Sequence, residues 1–227
     1  VQNAIFAVAM AYSFDVDLDN IRLGMRTFDS SFFEAPGRTN VFDEHPFKVI
    51  LNYAHNPAAF SAIADLASRI DVSGRRIAVV SVPGDRRDED VYEASKILAG
   101  HFDHYICKAD DNRRRRDFDE IPKMLKAGFI EEGVPEEAIS IICDEVEAVE
   151  FGLNMAQEGD LLVVFGDDSA RCWKQIIYFN SGAHADDSGK KVTPAIDLPD
   201  TGGFQIDADI EIISDERGVR IARDEGD

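Results

Sequence analysis

At 227 residues and 44% apolar content the chain can build a sizeable core, which excludes an intrinsically disordered protein. Its 44 acidic against 24 basic residues, a formal charge of −20, argue against nucleic acid or an anionic membrane as a partner. No apolar run approaches the roughly 20 residues of a membrane span and no signal peptide stands at the start, so a cytoplasmic location is expected.

Val1 leads straight into an apolar helical pattern over residues 2–13, with Ile5, Phe6, Ala9 and Tyr12 at helical spacing. With no capping approach ahead of it, the chain is expected to be a piece of a longer polypeptide. Asp17 or Asp19 caps a second short helix carrying Ile21, Leu23, Gly24 and Met25 and ending near Phe28. Two such helices bury little by themselves, so their packing partner is expected to precede Val1. A linker, Ser30 to Gly37, comes before a candidate edge strand, Arg38 to Phe42.

From Phe47 the pattern becomes regular. Strand 47–53 leads to Asn56-Pro57, an N-cap with proline in the first turn, and a helix with Phe60, Ile63, Ala64, Ala67 and Ile70 on one face. Strand 76–82 leads to a charged loop and a helix from Glu89 to Gly100, and strand 104–108 to an arginine-rich loop and a helix over 119–129. Strand 139–143 leads to Asp144 as cap of helix 145–157, and strand 160–165 to helix 170–179. Five β-α units in succession predict an α/β, Rossmann-like fold: a doubly wound, mainly parallel sheet with flanking helices and right-handed crossovers.

In such a sheet ligands bind beyond the carboxyl ends of the strands, and three loops at those ends carry the candidate chemistry. Ala54-His55-Asn56-Pro57 places an imidazole and an amide at a helix amino end, which favours an anion such as phosphate, or simply supplies an Asn cap beside a surface His. Pro83-Gly84-Asp85-Arg86-Arg87-Asp88-Glu89-Asp90 offers arginines for carboxylate or phosphate and acids for an amine, or is a solvated loop. Asp110, Asp111 and Asn112, followed by Arg113 to Arg116, have the charges to grip a zwitterionic amino acid at both ends, although charge runs are usually just solvated.

No G-x-x-x-x-G-K-[ST] or G-x-G-x-x-G loop and no serine elbow is present. No residue is therefore assigned as catalytic. The three cysteines, Cys107, Cys143 and Cys172, are too few and scattered for a disulfide framework or a thiolate metal site and are expected to be buried free thiols. No metal ligand is assigned.

The motifs Arg-Thr-Asn (38–40), Asn-Tyr-Ala-His-Asn-Pro (52–57), Pro-Gly-Asp-Arg-Arg-Asp-Glu-Asp (83–90) and Asp-Asp-Asn-Arg (110–113) resemble the C-terminal domain of the Mur ligase superfamily, nearest to its cyanophycin synthetase branch. The resemblance runs from Val1 to about Phe179, with residues 1–30 similar to the end of the family's central ATPase domain and 31–180 to its C-terminal domain. It implies an ATP-dependent amide ligase that phosphorylates a carboxylate and lets an amine attack the acyl phosphate. By the same resemblance the amine is that of arginine and the acceptor a polyaspartate chain. ATP and Mg2+ would be held mainly by the central domain, so that this piece is inactive alone, and the complete enzyme would be a homo-oligomer.

Carried over by position, Arg38 and His55, with Asn56, approach the phosphates and Asn52 the ribose, where the family usually has Asp. Asp85, Asp88, Asp110 and Asp111 are the acceptors for a guanidinium. Arg113 holds the α-carboxylate of the incoming amino acid, and Arg86 and Arg87 face the acidic chain or the acyl phosphate. The rival expectation is a noncatalytic binding or scaffold module that kept the fold and lost the reaction.

Beyond the resemblance, residues 181–227 hold 12 Asp or Glu and 5 Lys or Arg, a net of −7. An acidic linker is expected first, then a small hairpin built from Phe204-Gln-Ile, Ile210-Glu-Ile-Ile and Val219-Arg-Ile-Ala around a turn at Asp215 to Gly218.

Overall fold

The computed structural model describes residues 2–28, 31–180, 210–215 and 218–223. The central sheet has six strands: β1 (Asn40–Phe42), β2 (Lys48–Asn52), β3 (Arg76–Val80), β4 (His104–Cys107), β5 (Ile139–Ile141) and β6 (Leu161–Phe165). Their order is β1-β2-β6-β3-β4-β5, with only β1 antiparallel to its neighbour. β6 is buried at every position because it sits between two strands and under helices on both faces, which is why it reads as the unbroken apolar run Leu-Leu-Val-Val-Phe.

Helices α3 (Pro57–Arg69), α4 (Asp88–Leu98) and α5 (Glu120–Glu131) cover one face. Phe60, Ile63, Val91, Leu98, Leu125 and Phe129 form a core there with Ile50, Ala78, Val80 and Val163. Helices α6 (Glu145–Met155) and α7 (Ser169–Tyr178) cover the other, where Val149, Leu153, Cys172 and Ile176 meet Val49, Leu51, Val79 and Val164. The split follows from strand alternation, since consecutive residues of one strand feed opposite cores. A Cβ at Gly152 would come 3.1 Å from Val79 Cγ2 and 3.2 Å from Leu162 Cδ1, so the glycine lets α6 lie close on the sheet.

The β-α units expected from periodicity are present, with ends shifted by a few residues. Asn56 caps α3 by accepting from the Ala59 N–H, and Asp144 caps α6 by accepting from the Glu147 N–H. Cys107 and Cys172 are buried free thiols, whereas Cys143, beyond the end of the short β5, is only half-buried.

Helices α1 (Gln2–Ser13) and α2 (Leu18–Thr27) pair ahead of the sheet, α2 with Asp17 as its cap. Ile5, Phe6 and Met10 stay more than half exposed, while Ile21 is buried. In a separate unit, β7 (Ile210–Asp215) and β8 (Gly218–Arg223) form an antiparallel hairpin in which Asp215 faces Gly218. The expected linker and the Phe204 segment lie outside the described residues. No described helix is long and apolar enough to cross a membrane.

Candidate active site at the carboxyl edge of the sheet

The connection after β6 runs to α7 on one face, while those after β2 and β3 run to α3 and α4 on the other. Loops leaving in opposite directions open a crevice at the carboxyl edge, the usual ligand position in doubly wound sheets. Two groups of side chains gather along it.

One lies at the amino end of α3. His55, Asn56, Pro57, Phe60, Val82, Arg86 and Asp90 line a cavity of about 340 Å³. His55 sits beside Tyr53, its Nδ1 3.3 Å from the Tyr53 carbonyl oxygen and the rings 5.2 Å apart. Arg86 reaches in from the β3–α4 loop, and its Nε is buried with no hydrogen-bond partner. A buried guanidinium N–H without an acceptor is costly, and an anion in this cavity would supply one. The first turn of α3 adds the positive end of its dipole, its Ala59 and Phe60 N–H groups being already bonded to Asn56. Nearby, at the end of β2, the Asn52 Nδ2 donates to Thr39 Oγ1 at 2.9 Å, and Arg38 beside Thr39 is exposed.

The charged loop 83–90 is tied to the arginine run 113–116. Arg116 donates to the carbonyls of Gly84 at 3.0 Å and Arg86 at 2.7 Å, and its guanidinium pairs with Asp88 and Glu120. Arg114 pairs with Asp85 at 3.0 Å, and Arg87 with Asp90 at 2.8 Å within the first turn of α4. A Cβ on Gly84 would lie 2.3 Å from the Arg113 carbonyl oxygen, so the two loops touch through their backbones. Arg113 is exposed, with its guanidinium 5.5 Å from the centre of the Phe118 ring.

The second group is built around a buried ion pair. Lys108, directly after β4, sends Nζ to Glu145 at 2.7 Å, to Ser81 Oγ at 2.9 Å and to Asp110 at 3.5 Å. Glu145, the first residue of α6, also accepts the N–H groups of Asp167 and Asp168 and pairs with Arg171 at 2.7 Å. Arg171 reaches on to Asp111, also at 2.7 Å, and the Asp111 N–H donates to Asp167.

Burial disfavours charge on both partners, but the pairing outweighs it. The Lys108 ammonium is held above the ordinary lysine range by Glu145 and Asp110, and the Glu145 carboxyl is brought down to about 2, chiefly by Lys108. Asp167 moves the other way: burial and the neighbouring Asp110 push it up.

Of the residues expected from sequence, the fold brings His55, Asn56 and Arg86 into one cavity. It brings Asp110 and Asp111 together as well, each already paired with a cation. Asp85, Arg87 and Asp88 also have protein partners, whereas Arg113 lies against Phe118 and Arg38 is exposed. Sequence reasoning missed Ser81, Lys108, Glu145, Asp167 and Arg171. The signal for Lys108 was a lone charge closing an apolar strand, and for Glu145 an acid directly after a helix cap. Among the described residues no group of three or more His, Cys, Asp or Glu is placed to hold a metal ion.

Residues 37–167 match the family described as Mur ligase, glutamate ligase domain. The chain belongs to the Mur ligase family. Its sheet and flanking helices are those of a Mur ligase C-terminal domain, as the motifs implied. It is similar to the cyanophycin synthetase of Geminocystis herdmanii, 38% identical over 165 residues that make up 73% of this chain and 18% of the relative. It is also similar to the UDP-N-acetylmuramoyl-L-alanyl-D-glutamate--2,6-diaminopimelate ligase of Corynebacterium glutamicum, 33% identical over 175 residues, 73% of this chain and 32% of the relative. In fold it is like the UDP-N-acetylmuramate-alanine ligase of Thermotoga maritima, with a TM-score of 0.56 at 16% identity over 79% of this chain and 37% of that one. The chain spans 18% to 19% of the length of the cyanophycin synthetases it matches.

Proposed function

We propose that this chain is the C-terminal part of an ATP-dependent acid–amino-acid ligase resembling cyanophycin synthetase. Such an enzyme adds arginine to the β-carboxylates of a polyaspartate chain through an acyl phosphate, in the cytoplasm. Residues 1–30 then complete the central ATPase domain, 31–180 form the C-terminal domain, and 181–227 are an appendage. ATP, with Mg2+, sits mainly on the central domain, and the piece alone does not turn over.

The observation that carries this reading is the cavity at the amino end of α3, where the buried Nε of Arg86 has no protein acceptor. A phosphoryl oxygen is a fitting partner for a guanidinium fork and a helix amino end together. In the proposed reaction Arg86 and His55 meet the phosphate being transferred, with Arg38 beside it and Asn52 near the ribose. Arg87 faces the acidic acceptor. Asp110 and Asp111, with Asp85 and Asp88, receive the guanidinium of arginine, and Arg113 its α-carboxylate.

In the complete ligase, Arg86→Ala is expected to lower kcat/KM for ATP by about 10- to 150-fold, the range set by one lost charged hydrogen bond of roughly 1.5–3 kcal/mol. Unchanged kinetics would remove the cavity from the reaction. Absence of arginine-dependent ATP turnover by the unmutated polypeptide, with polyaspartate supplied, would favour the noncatalytic module instead.

A further inference from the structure

Arg171 stands between a buried carboxylate and an exposed one. Its Nη2 holds Glu145 and its Nη1 holds Asp111, each at 2.7 Å, and its side chain is 32% exposed against 0% for Glu145 and 53% for Asp111. Glu145 cannot yield, because Lys108 and the N–H groups of Asp167 and Asp168 fix it from the other side. The loop carrying Asp111 is fixed a second time where its N–H meets Asp167. A planar fork held at one end by an immobile partner sets both the position and the plane of the carboxylate at its other end.

We propose that Arg171 is a positioning residue, which orients the Asp111 carboxylate for the cationic side chain of the incoming amino acid while Glu145 and Lys108 anchor it. The proposal rests on the reading of Asp111 as an amino-acid contact. Arg171 occupies Oδ2 of Asp111 and leaves Oδ1 for the substrate. A carboxylate set in place before binding spares the substrate the ordering cost, so the effect belongs in affinity for the amino acid and not in nucleotide binding.

The test is a double-mutant cycle in the complete ligase, with L-arginine and ATP each varied. Arg171→Gln leaves Glu145 with Lys108 and two backbone donors, so no buried charge is stranded; equal thermal midpoints check that the variant is folded. It is expected to raise KM for arginine about tenfold, with KM for ATP within about twofold. Combined with Asp111→Asn it is expected to add little to what Asp111→Asn does alone, since the two act through one contact. Arg171→Lys, which keeps the charge but loses the fork, should fall between the parent and Arg171→Gln.

If Asp111→Asn raises KM for arginine and Arg171→Gln does not, or if the two effects multiply, the positioning role is wrong and the Asp111 contact stands. If Asp111→Asn leaves KM for arginine unchanged, the contact itself is wrong and the positioning role falls with it.

Discussion

Lys108 Nζ lies 2.7 Å from a carboxylate oxygen of Glu145, with both side chains wholly shut off from solvent. A buried pair of this kind is weak evidence of net stabilisation, but removing one partner strands the other. Lys108→Met leaves Glu145 with Arg171 and two backbone N–H groups, and leaves Ser81 and Asp110 without their cation. A loss of about 3 kcal/mol is expected, the low end for a broken buried pair, read from urea unfolding. A loss below about 1 kcal/mol would mean that Arg171 and the two N–H groups are enough for Glu145.

The same pair sets an acid sensitivity. Glu145 ordinarily titrates at 4.5 and here at about 2, so the unfolded chain binds its proton more readily than the folded one. Its contribution, roughly 3 kcal/mol, is fully present above about pH 4.5 and is lost as the pH falls towards about 2. Asp167, pushed up, has the opposite sign and regains stability as it protonates. Denaturant unfolding followed from pH 7 down to pH 3 should show the net fall, and Lys108→Met should flatten it. An equally steep slope in that variant would place the acid sensitivity elsewhere.

At Gly84 a methyl group has nowhere to go, because the Arg113 carbonyl oxygen would lie 2.3 Å from it and neither backbone can turn aside cheaply. Gly84→Ala is expected to cost about 1–3 kcal/mol by forcing the 83–90 and 110–116 loops apart, and to weaken the Arg116 hydrogen bonds to Gly84 and Arg86. Stability within about 0.5 kcal/mol of the parent would show that the loops separate freely.

Asn52 donates to the Thr39 hydroxyl, which can turn and donate in its place, so Asn52→Asp keeps a hydrogen bond at that position. The added charge is expected to lower KM for ATP in the complete ligase several-fold, about 1 kcal/mol, because a charged acceptor binds a ribose hydroxyl about twice as strongly as a neutral one. An unchanged or higher KM would detach this position from the nucleotide.

The alternation of strand and helix was legible from Phe47 onward because it rests on local periodicity. Ile50, Val79 and Val163 had to be buried whatever the order of the strands. The family was legible for a similar reason, since its motifs are short runs whose residues are neighbours in the chain. The cavity at α3 was half legible: His55 and Asn56 announce a helix amino end, but nothing local says that Arg86 joins them.

Sequence alone determined the sheet, its two helical faces and which strand ends carry charge, because these follow from spacing within a few residues. Only the tertiary structure decided what each charge does. Arg113 to Arg116 read alike in the chain, yet Arg116 ties two loops together through four oxygen-bearing partners while Arg113 lies on a phenyl ring. Arg171 and Glu145 are 26 residues apart, and the Asp111 N–H and Asp167 are 56 apart. Such pairs meet because β6 inserts between β2 and β3 and carries the start of α7 to the middle of the carboxyl edge. Electrostatic partnership is a matter of distance in space and of burial, and neither is encoded at any single position of the chain.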